Sequence, residues 1–359
     1  MAIYFFILCF VVCLAVLAVW TPRCRSFALL GIFLTLTVPA AIRYGIGTDY
    51  LPVYLPTIES IQNGDITDQE LSFHLIVRLC QGITESPQLV FAIYSILTYA
   101  LVVYALRGKN LPGAISAYVL SYYTFSYNGI RQALAMACIM VAFDFFRRSK
   151  WIWLAVFSLA GVFFHTSAAI FIPMLFGVHC LQDKSSLKVT VIACVAIVFF
   201  FAVDLSSLIL RLAAVWPKYG GYAEDSFFAG AAAFNSGLGI LFRCVVYFTL
   251  FLVLNGADSR TARAAGLFCL FYVAITAVGW HLEIFRRFTY IADFILPFAV
   301  IAVGEVEEWR LRWAAYFVTF LLYGALFVKG IAAEDSDVSP YETVFSSEGY
   351  CHVLAPYGI

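Results

Sequence analysis

The sequence predicts an all-α fold, a polytopic membrane bundle of about 12 transmembrane helices with no soluble domain, each crossing taking roughly 20 apolar residues. Three observations lead there. With 63% hydrophobic residues, 12% charged residues and a mean hydropathy of +0.91, the chain cannot be arranged around a soluble surface. Its apolar runs are continuous and separated by clusters of charge, whereas a membrane barrel would show short alternating segments. Continuous runs favour helices, whose backbone groups are satisfied within the segment. The 359 residues are then filled by spans and loops, and residues 1–359 read as a single polytopic membrane domain.

The spans fall at 3–20, 26–42, 89–106, 111–127, 130–146, 151–164, 166–181, 188–204, 238–254, 264–280, 288–304 and 313–330. The first lacks the basic leader and small-residue cleavage site of a removable signal peptide and is taken as part of the mature fold. Lys and Arg set the orientation, because basic loops stay cytoplasmic. One set of loops holds Arg23, Arg25, Arg107, Lys109, Arg147, Arg148, Lys150, Lys184, Lys188, Arg260, Arg263, Arg310 and Arg312. Those loops are read as inside, which puts both termini outside together with Asp49, Glu59, Asp65, Asp68, Glu70, Asp335 and Asp337.

Most cysteines sit in apolar spans without metal-ligand spacing and read as small packing residues. Cys80 and Cys351 are the two placed where oxidation is feasible. Zero formal net charge and the lack of a basic tract argue against nucleic acid as a partner. No nucleotide-binding glycine loop or internal repeat is visible.

Three outer segments stand out: the loop 43–88, the loop 205–237 and the tail 331–359. The first contains E-L-S-F-H-L-I-V-R-L (70–79), an amphipathic piece suited either to the membrane interface or to capping the bundle as a lid. The second contains W-P-K-Y-G-G-Y (216–222), which suits interfacial anchoring first and sugar stacking second. In the tail, S-P-Y-E-T-V-F (339–345) is a polar strip able to fold back across the outer mouth.

Four motifs carry the chemistry. In R-Y-G-I-G-T-D-Y (43–50), Gly45 and Gly47 permit sharp turns, and Arg43, Thr48 and Asp49 offer a cation, a hydroxyl and a carboxylate. An Arg43–Asp49 ion pair closing the loop is the plain alternative. S-Y-N-G-I-R-Q-A-L-A-M-A (126–137) places Arg131 and Gln132 at the outer start of a helix of small residues, where a fork of donors suits phosphate. A snorkelling anchor is the competing reading. F-F-H-T-S-A-A-I-F-I-P (163–173) sets His165 beside Thr166 and Ser167. A buried, satisfied histidine is the commoner outcome there, although ionisable groups in spans usually face an interior or a cavity. L-E-I-F-R-R-F-T-Y-I-A-D-F-I-L-P (282–297) puts Arg286 and Tyr290 one helical turn apart, with Arg287 turned away. Asp293, inside the span, requires a partner such as an arginine.

In this order and at these positions the motifs resemble the EpsG family of exopolysaccharide biosynthesis proteins, relatives of the Wzy O-antigen and capsule polymerases. The resemblance rests on R-Y-G-I-G-T-D-Y, on Glu70 with Phe73, on I-R-Q-A-L-A (130–135) followed by F-H-T-S-A (164–168), on Arg286 and Tyr290 with Pro297, and on the P-Y pair at 340–341. It implies a GT-C-like glycosyltransferase architecture and a polymerase joining oligosaccharide repeat units carried on undecaprenyl diphosphate. The site would face the periplasm or exterior of a bacterial plasma membrane. A flippase and a chain-length regulator are the protein partners expected by analogy.

That reaction needs cations for the diphosphate leaving group, and Arg43, Arg131 and Arg286 are the candidates. It needs a base for the acceptor hydroxyl. Asp49 is assigned that role and His165 a positioning or phosphate-binding one, because a carboxylate beside arginines stays ionised while a histidine there stays neutral. Thr48, Gln132 and Tyr290 are expected to position substrate. No metal and no cofactor is expected. A glycan ligase would use the same groups, and a flippase would also bind the lipid diphosphate. The one-sided placement of the ionisable residues favours an enzyme over a transporter, which wants polar sites near the midplane in matching halves.

Overall fold

The computed structural model describes residues 1–108, 110–203, 237–279, 283–333 and 337–346, the side chains of 200–201 and 283–286 excepted. These residues form two compact units, Met1–Ala169 with Gly324–Ile359, and Ile170–Tyr323.

The first unit contains α1 (Ala2–Trp20), α2 (Arg25–Ile42), α3 (Leu55–Asn63), α4 (Leu71–Gln81), α5 (Gln88–Leu106), α6 (Leu111–Tyr118), α7 (Phe125–Asn128), α8 (Ile130–Arg147) and α9 (Trp151–Phe164). α8 is its centre, buried on every side from Gln132 to Asp144, as an all-round apolar helix must be. It packs on α5 and α9, and α2 packs on α1 and α5. Between helices in lipid the gain comes from close contact rather than from the hydrophobic effect, which favours small residues. Ala133, Ala135 and Ala137 supply them on α8, and a Cβ at Gly161 of α9 would lie 3.0 Å from Ile139 Cδ1 and 3.2 Å from the Ala135 carbonyl. The A-L-A-M-A run therefore sets how near α9 approaches.

The second unit contains α10 (Phe171–Leu181), α11 (Ser186–Ala202), α12 (Leu238–Asn255), α13 (Arg260–Gly279), α14 (Glu283–Ala292), α15 (Ile295–Val303) and the larger part of α16 (Trp309–Ala332). α13 is central here, touching α10, α11, α12, α14 and α15.

Among the described residues, six helices are long and apolar enough to cross a bilayer: Ala2–Trp20, Pro22–Ile42, Gln88–Leu106, Leu238–Asn255, Arg260–Gly279 and Trp309–Ala332. The helical class is thus shown, and the count of about 12 is not reached by this measure. The shortfall has local causes. The span expected at 111–127 is interrupted by a π turn, Val119–Tyr123, between α6 and α7. The span expected at 288–304 breaks between α14 and α15, at Asp293 and Phe294. α8 carries Arg131, Asp144 and Arg147, and α9 and α10 are short.

Some of the basic residues meet a neighbouring connection or helix end. Arg25 donates to the Arg107 carbonyl and Arg148 pairs with Asp144 at 2.9 Å in the first unit, while Arg263 donates to the Lys184 carbonyl in the second. Exposed Trp20 lies close in sequence to Arg23 and Arg25, Trp151 and Trp153 to Arg148, and Trp309 and Trp313 to Arg310 and Arg312, in keeping with an interfacial aromatic belt.

The loop 43–88 is more ordered than its composition announces. It comprises a π turn at Tyr50–Tyr54, α3 and α4. The tail at 337–346 folds back on the first motif: Val344 N–H donates to the Ile42 carbonyl at 2.9 Å, Tyr44 N–H to the Glu342 carbonyl at 3.1 Å and Gly47 N–H to the Asp337 carbonyl at 2.8 Å. Arg43 and Thr343 form an isolated antiparallel bridge, and the Tyr341 hydroxyl donates to the Pro39 carbonyl at 2.6 Å. Cys80 is a free, buried thiol. Cys351 and the W-P-K-Y-G-G-Y segment lie outside the described residues.

Candidate functional site

Three of the four motifs converge in the first unit. The turn at 43–50 docks on the loop that precedes α8. Gly47 adopts φ +104°, and a Cβ there would lie 2.5 Å from Asn128 Oδ1 and 2.9 Å from the Tyr127 carbonyl. Only glycine satisfies both the left-handed backbone and that approach. Asn128 Oδ1 in turn accepts the Thr48 N–H at 2.8 Å. Thr48 is exposed and Asp49 half-buried at the start of the π turn, with the Thr48 hydroxyl 3.5 Å from Asp49 Oδ1.

Arg43 departs from both expectations for it. It is 1% exposed, and its guanidinium donates to the carbonyls of Ala40 at 2.5 Å, Tyr127 at 3.1 Å and Ile46 at 3.3 Å. The rings of Tyr127, Phe91 and Tyr50 surround it at 4.9, 5.2 and 6.0 Å. It bonds backbone, not Asp49, and its donors are directed away from any solvent-borne diphosphate. The physical reason is the end of α2: orphan carbonyls of a helix C-terminus attract a cation, and Arg43 stands one residue past it. Gln88, unremarked in the sequence, completes the turn by donating to the carbonyls of Ala41 and Arg43 and accepting from the Tyr50 hydroxyl.

Of the two candidate arginines in the first unit, Arg131 is the one left partly accessible. It forms an ion pair with Glu70, the two side chains being 15% and 9% exposed, and lies 5.5 Å from the Phe73 ring. The Tyr54 hydroxyl accepts the Ile130 N–H at 3.2 Å and lies close to Arg131. Burial holds the Tyr54 phenol above its ordinary value, Arg131 opposing and Asp49 reinforcing the shift, so it stays protonated at neutral pH. Glu70 immediately precedes α4, whose position is set by Ser72 donating to the Phe163 carbonyl at 2.8 Å. In the sequence Glu70 stood among the acids of the loop 43–88 and in the family likeness, with no partner assigned; an arginine at a helix start, without a carboxylate nearby in sequence, was the available signal for the pairing.

The F-H-T-S motif is joined to α8 by side chains. α9 ends at Phe164, His165 is extended, and a 3-10 turn, Thr166–Ile170, follows. Gln132 donates to Ser167 Oγ at 3.4 Å, and Ser167 lies with Oγ 2.9 Å and its backbone N–H nitrogen 3.2 Å from His165 Nδ1. A backbone N–H can only donate, so His165 Nδ1 is an acceptor and the neutral ring carries its proton on Nε2.

In the second unit, Asp293 has the arginine partner that its position demands. Arg243 lies 3.3 Å from Asp293 Oδ2, and the hydroxyls of Tyr247 and Tyr323 donate to Oδ1, the latter at 3.2 Å. The Tyr272 ring stacks on Tyr247. Arg243, within a long apolar span, was the overlooked residue. Tyr290 is half-buried on α14 and Arg287 is exposed. The Arg286 side chain lies outside the described residues.

Fold and motifs together define a helical membrane protein in which a carboxylate, an ion-paired arginine and a hydrogen-bonded histidine come from segments up to about a hundred residues apart. The chain belongs to the EpsG family, whose family model matches residues 26–343. It is accordingly an exopolysaccharide-related membrane protein. No curated protein and no solved structure matches the chain significantly.

Proposed function

We propose that this protein is a glycosyltransferase that polymerises oligosaccharide repeat units carried on undecaprenyl diphosphate, at the outer face of a bacterial plasma membrane. The observation that supports it most is the joining of the I-R-Q and F-H-T-S segments through Gln132, Ser167 and His165, beside the Arg131–Glu70 pair. Family membership supports the same reading.

In this reading the acceptor sugar's hydroxyl attacks the anomeric carbon of the donor chain. Asp49 takes the hydroxyl proton as the new glycosidic bond forms. The bond from the anomeric carbon to the phosphate oxygen breaks, and undecaprenyl diphosphate leaves with the electron pair. Arg131 receives the developing charge through its planar fork. His165 donates a further hydrogen bond from Nε2–H. With Nδ1 occupied by Ser167, removing a proton at Nε2 would require the other tautomer, which is why the base role goes to Asp49. Thr48 positions the Asp49 carboxylate and Gln132 positions Ser167. Arg43 is reassigned to holding the turn. Arg286 and Tyr290 belong to the second unit and keep only the roles that the sequence suggested for them.

Lipid-linked glycan from cells lacking the protein provides the test. Single units on the outer leaflet, extended by wild type and not by Arg131→Ala at matched membrane levels, support polymerisation. Accumulation on the inner leaflet means a flippase, a reading that the buried Arg243–Asp293 pair at a helix break would then favour. Long chains left on the carrier mean a ligase.

A further inference from the structure

We infer that the Leu71–Leu75–Leu79 face of α4 is a lipid-contacting surface, seated among the acyl chains of the leaflet at this end of the first unit. This does not rest on the polymerase reading. Around α4, side chains at successive 100° steps fall into sectors. Phe73, Val77 and Cys80 are fully buried toward the unit's core. Ser72, on the next sector, is bonded to the Phe163 carbonyl at the end of α9. The polar residues occupy a third sector, where His74 meets Thr67 and Arg78 meets Gln62 and Gln81. The leucines at i, i+4 and i+8 form the remaining arc and are 65%, 48% and 70% exposed.

A leucine stripe opposite a packed core face has two surroundings to choose from, water or hydrocarbon. Continuity decides it. α9, on whose end α4 sits, shows its own exposed stripe at Ile152, Val156, Leu159 and Phe163, at the i, i+4, i+7, i+11 spacing of one helix face. α9 is shorter than the six full spans, but it carries no charged residue and its one hydroxyl, that of Ser158, is buried, so acyl chains suit the surroundings of this stripe better than water. Ser72 holds α4 directly at the Phe163 end of it. The leucine arc thus extends the lipid-facing surface of α9, while His74, Arg78 and Gln81 supply the water-facing edge, the arrangement of an interfacial amphipathic helix. Since Glu70 precedes α4 and pairs with Arg131, the depth of this helix in the leaflet fixes the level at which that arginine is held.

A photoactivatable benzophenone side chain at Leu75 of the full-length protein in native membranes tests this, with Leu159 as lipid-facing reference and Arg78 as water-facing control. The expected result is a phospholipid adduct at Leu75 as at Leu159, and none at Arg78. Cross-linking of Leu75 to a second copy of the chain or to another protein would overturn it, as would the absence of an adduct at Leu75 while Leu159 reacts. The same probe at Leu79 gives a second, independent reading if the Leu75 variant is not monodisperse on gel filtration.

Discussion

Removing the charge of Glu70 should separate what Arg131 does for the fold from what it does for the reaction. The two side chains are 9% and 15% exposed, closer to a buried pair than to the exposed kind that contributes about 0–1 kcal/mol. Two unit charges at about 4 Å attract by roughly 4 kcal/mol at an effective dielectric of 20, and breaking one side of a buried pair costs about 3–5 kcal/mol. Tyr54 and Phe73 remain beside the guanidinium after Glu70→Gln, so the lower figure, about 3 kcal/mol, is expected. Arg131→Met should cost a similar amount, and the double variant less than the sum by about 2 kcal/mol, the coupling energy of a contacting pair. SDS titration of the purified protein reads these values. For activity, Arg131→Ala and Arg131→Lys should each lower chain extension about a hundredfold or more, as loss of a leaving-group donor does, because lysine keeps the charge and loses the fork. Coupling below about 0.5 kcal/mol would show that the ion pair does not operate. Full-length polymer from Arg131→Ala at wild-type membrane levels would refute its role at the diphosphate.

Four further outcomes are expected. Asp49→Asn should reduce turnover by about 10²–10⁴ with normal membrane levels; near-normal turnover, alongside an inactive His165→Ala, would move the base role to the histidine. Ser167→Ala removes the hydroxyl between Gln132 and His165 but keeps the backbone N–H that sets the tautomer, so turnover should fall about tenfold, the worth of one hydrogen bond, with an unchanged pH profile; wild-type turnover would show that this hydroxyl does not orient the ring. Gly47→Ala should cost at least about 1–2 kcal/mol for the left-handed backbone alone, before the approach to Asn128 Oδ1 is counted, and thermal unfolding that matches wild type would contradict the docked turn. Asp293→Asn should destabilise the protein by about 3 kcal/mol because it leaves Arg243 uncompensated, and adding Arg243→Gln should recover part of that loss; equal unfolding of the single and double variants would deny the pairing.

The sequence by itself determined the helical membrane class and the family. Hydropathy, charge bias and motif order are properties of contiguous residues, and a bilayer imposes the same demand on every crossing. It also showed that Asp293 required a partner and that α4 was amphipathic, since a charge in hydrocarbon and a 3.6-residue period are local signals. Only the tertiary structure decided which polar groups meet. Arg131 pairs with Glu70 and Asp293 with Arg243, partners 61 and 50 residues away, and no local rule encodes those separations. Arg43 was read as a ligand because an arginine in a glycine-rich turn has both fates. Its burial against three carbonyls depends on α2, α7 and the turn arriving together. The tautomer of His165 was decided by a backbone N–H two residues away, whose direction exists only once α9 has ended in an extended residue and a 3-10 turn. Side-chain chemistry is written residue by residue, whereas its use depends on which helix ends the packing brings within hydrogen-bond reach.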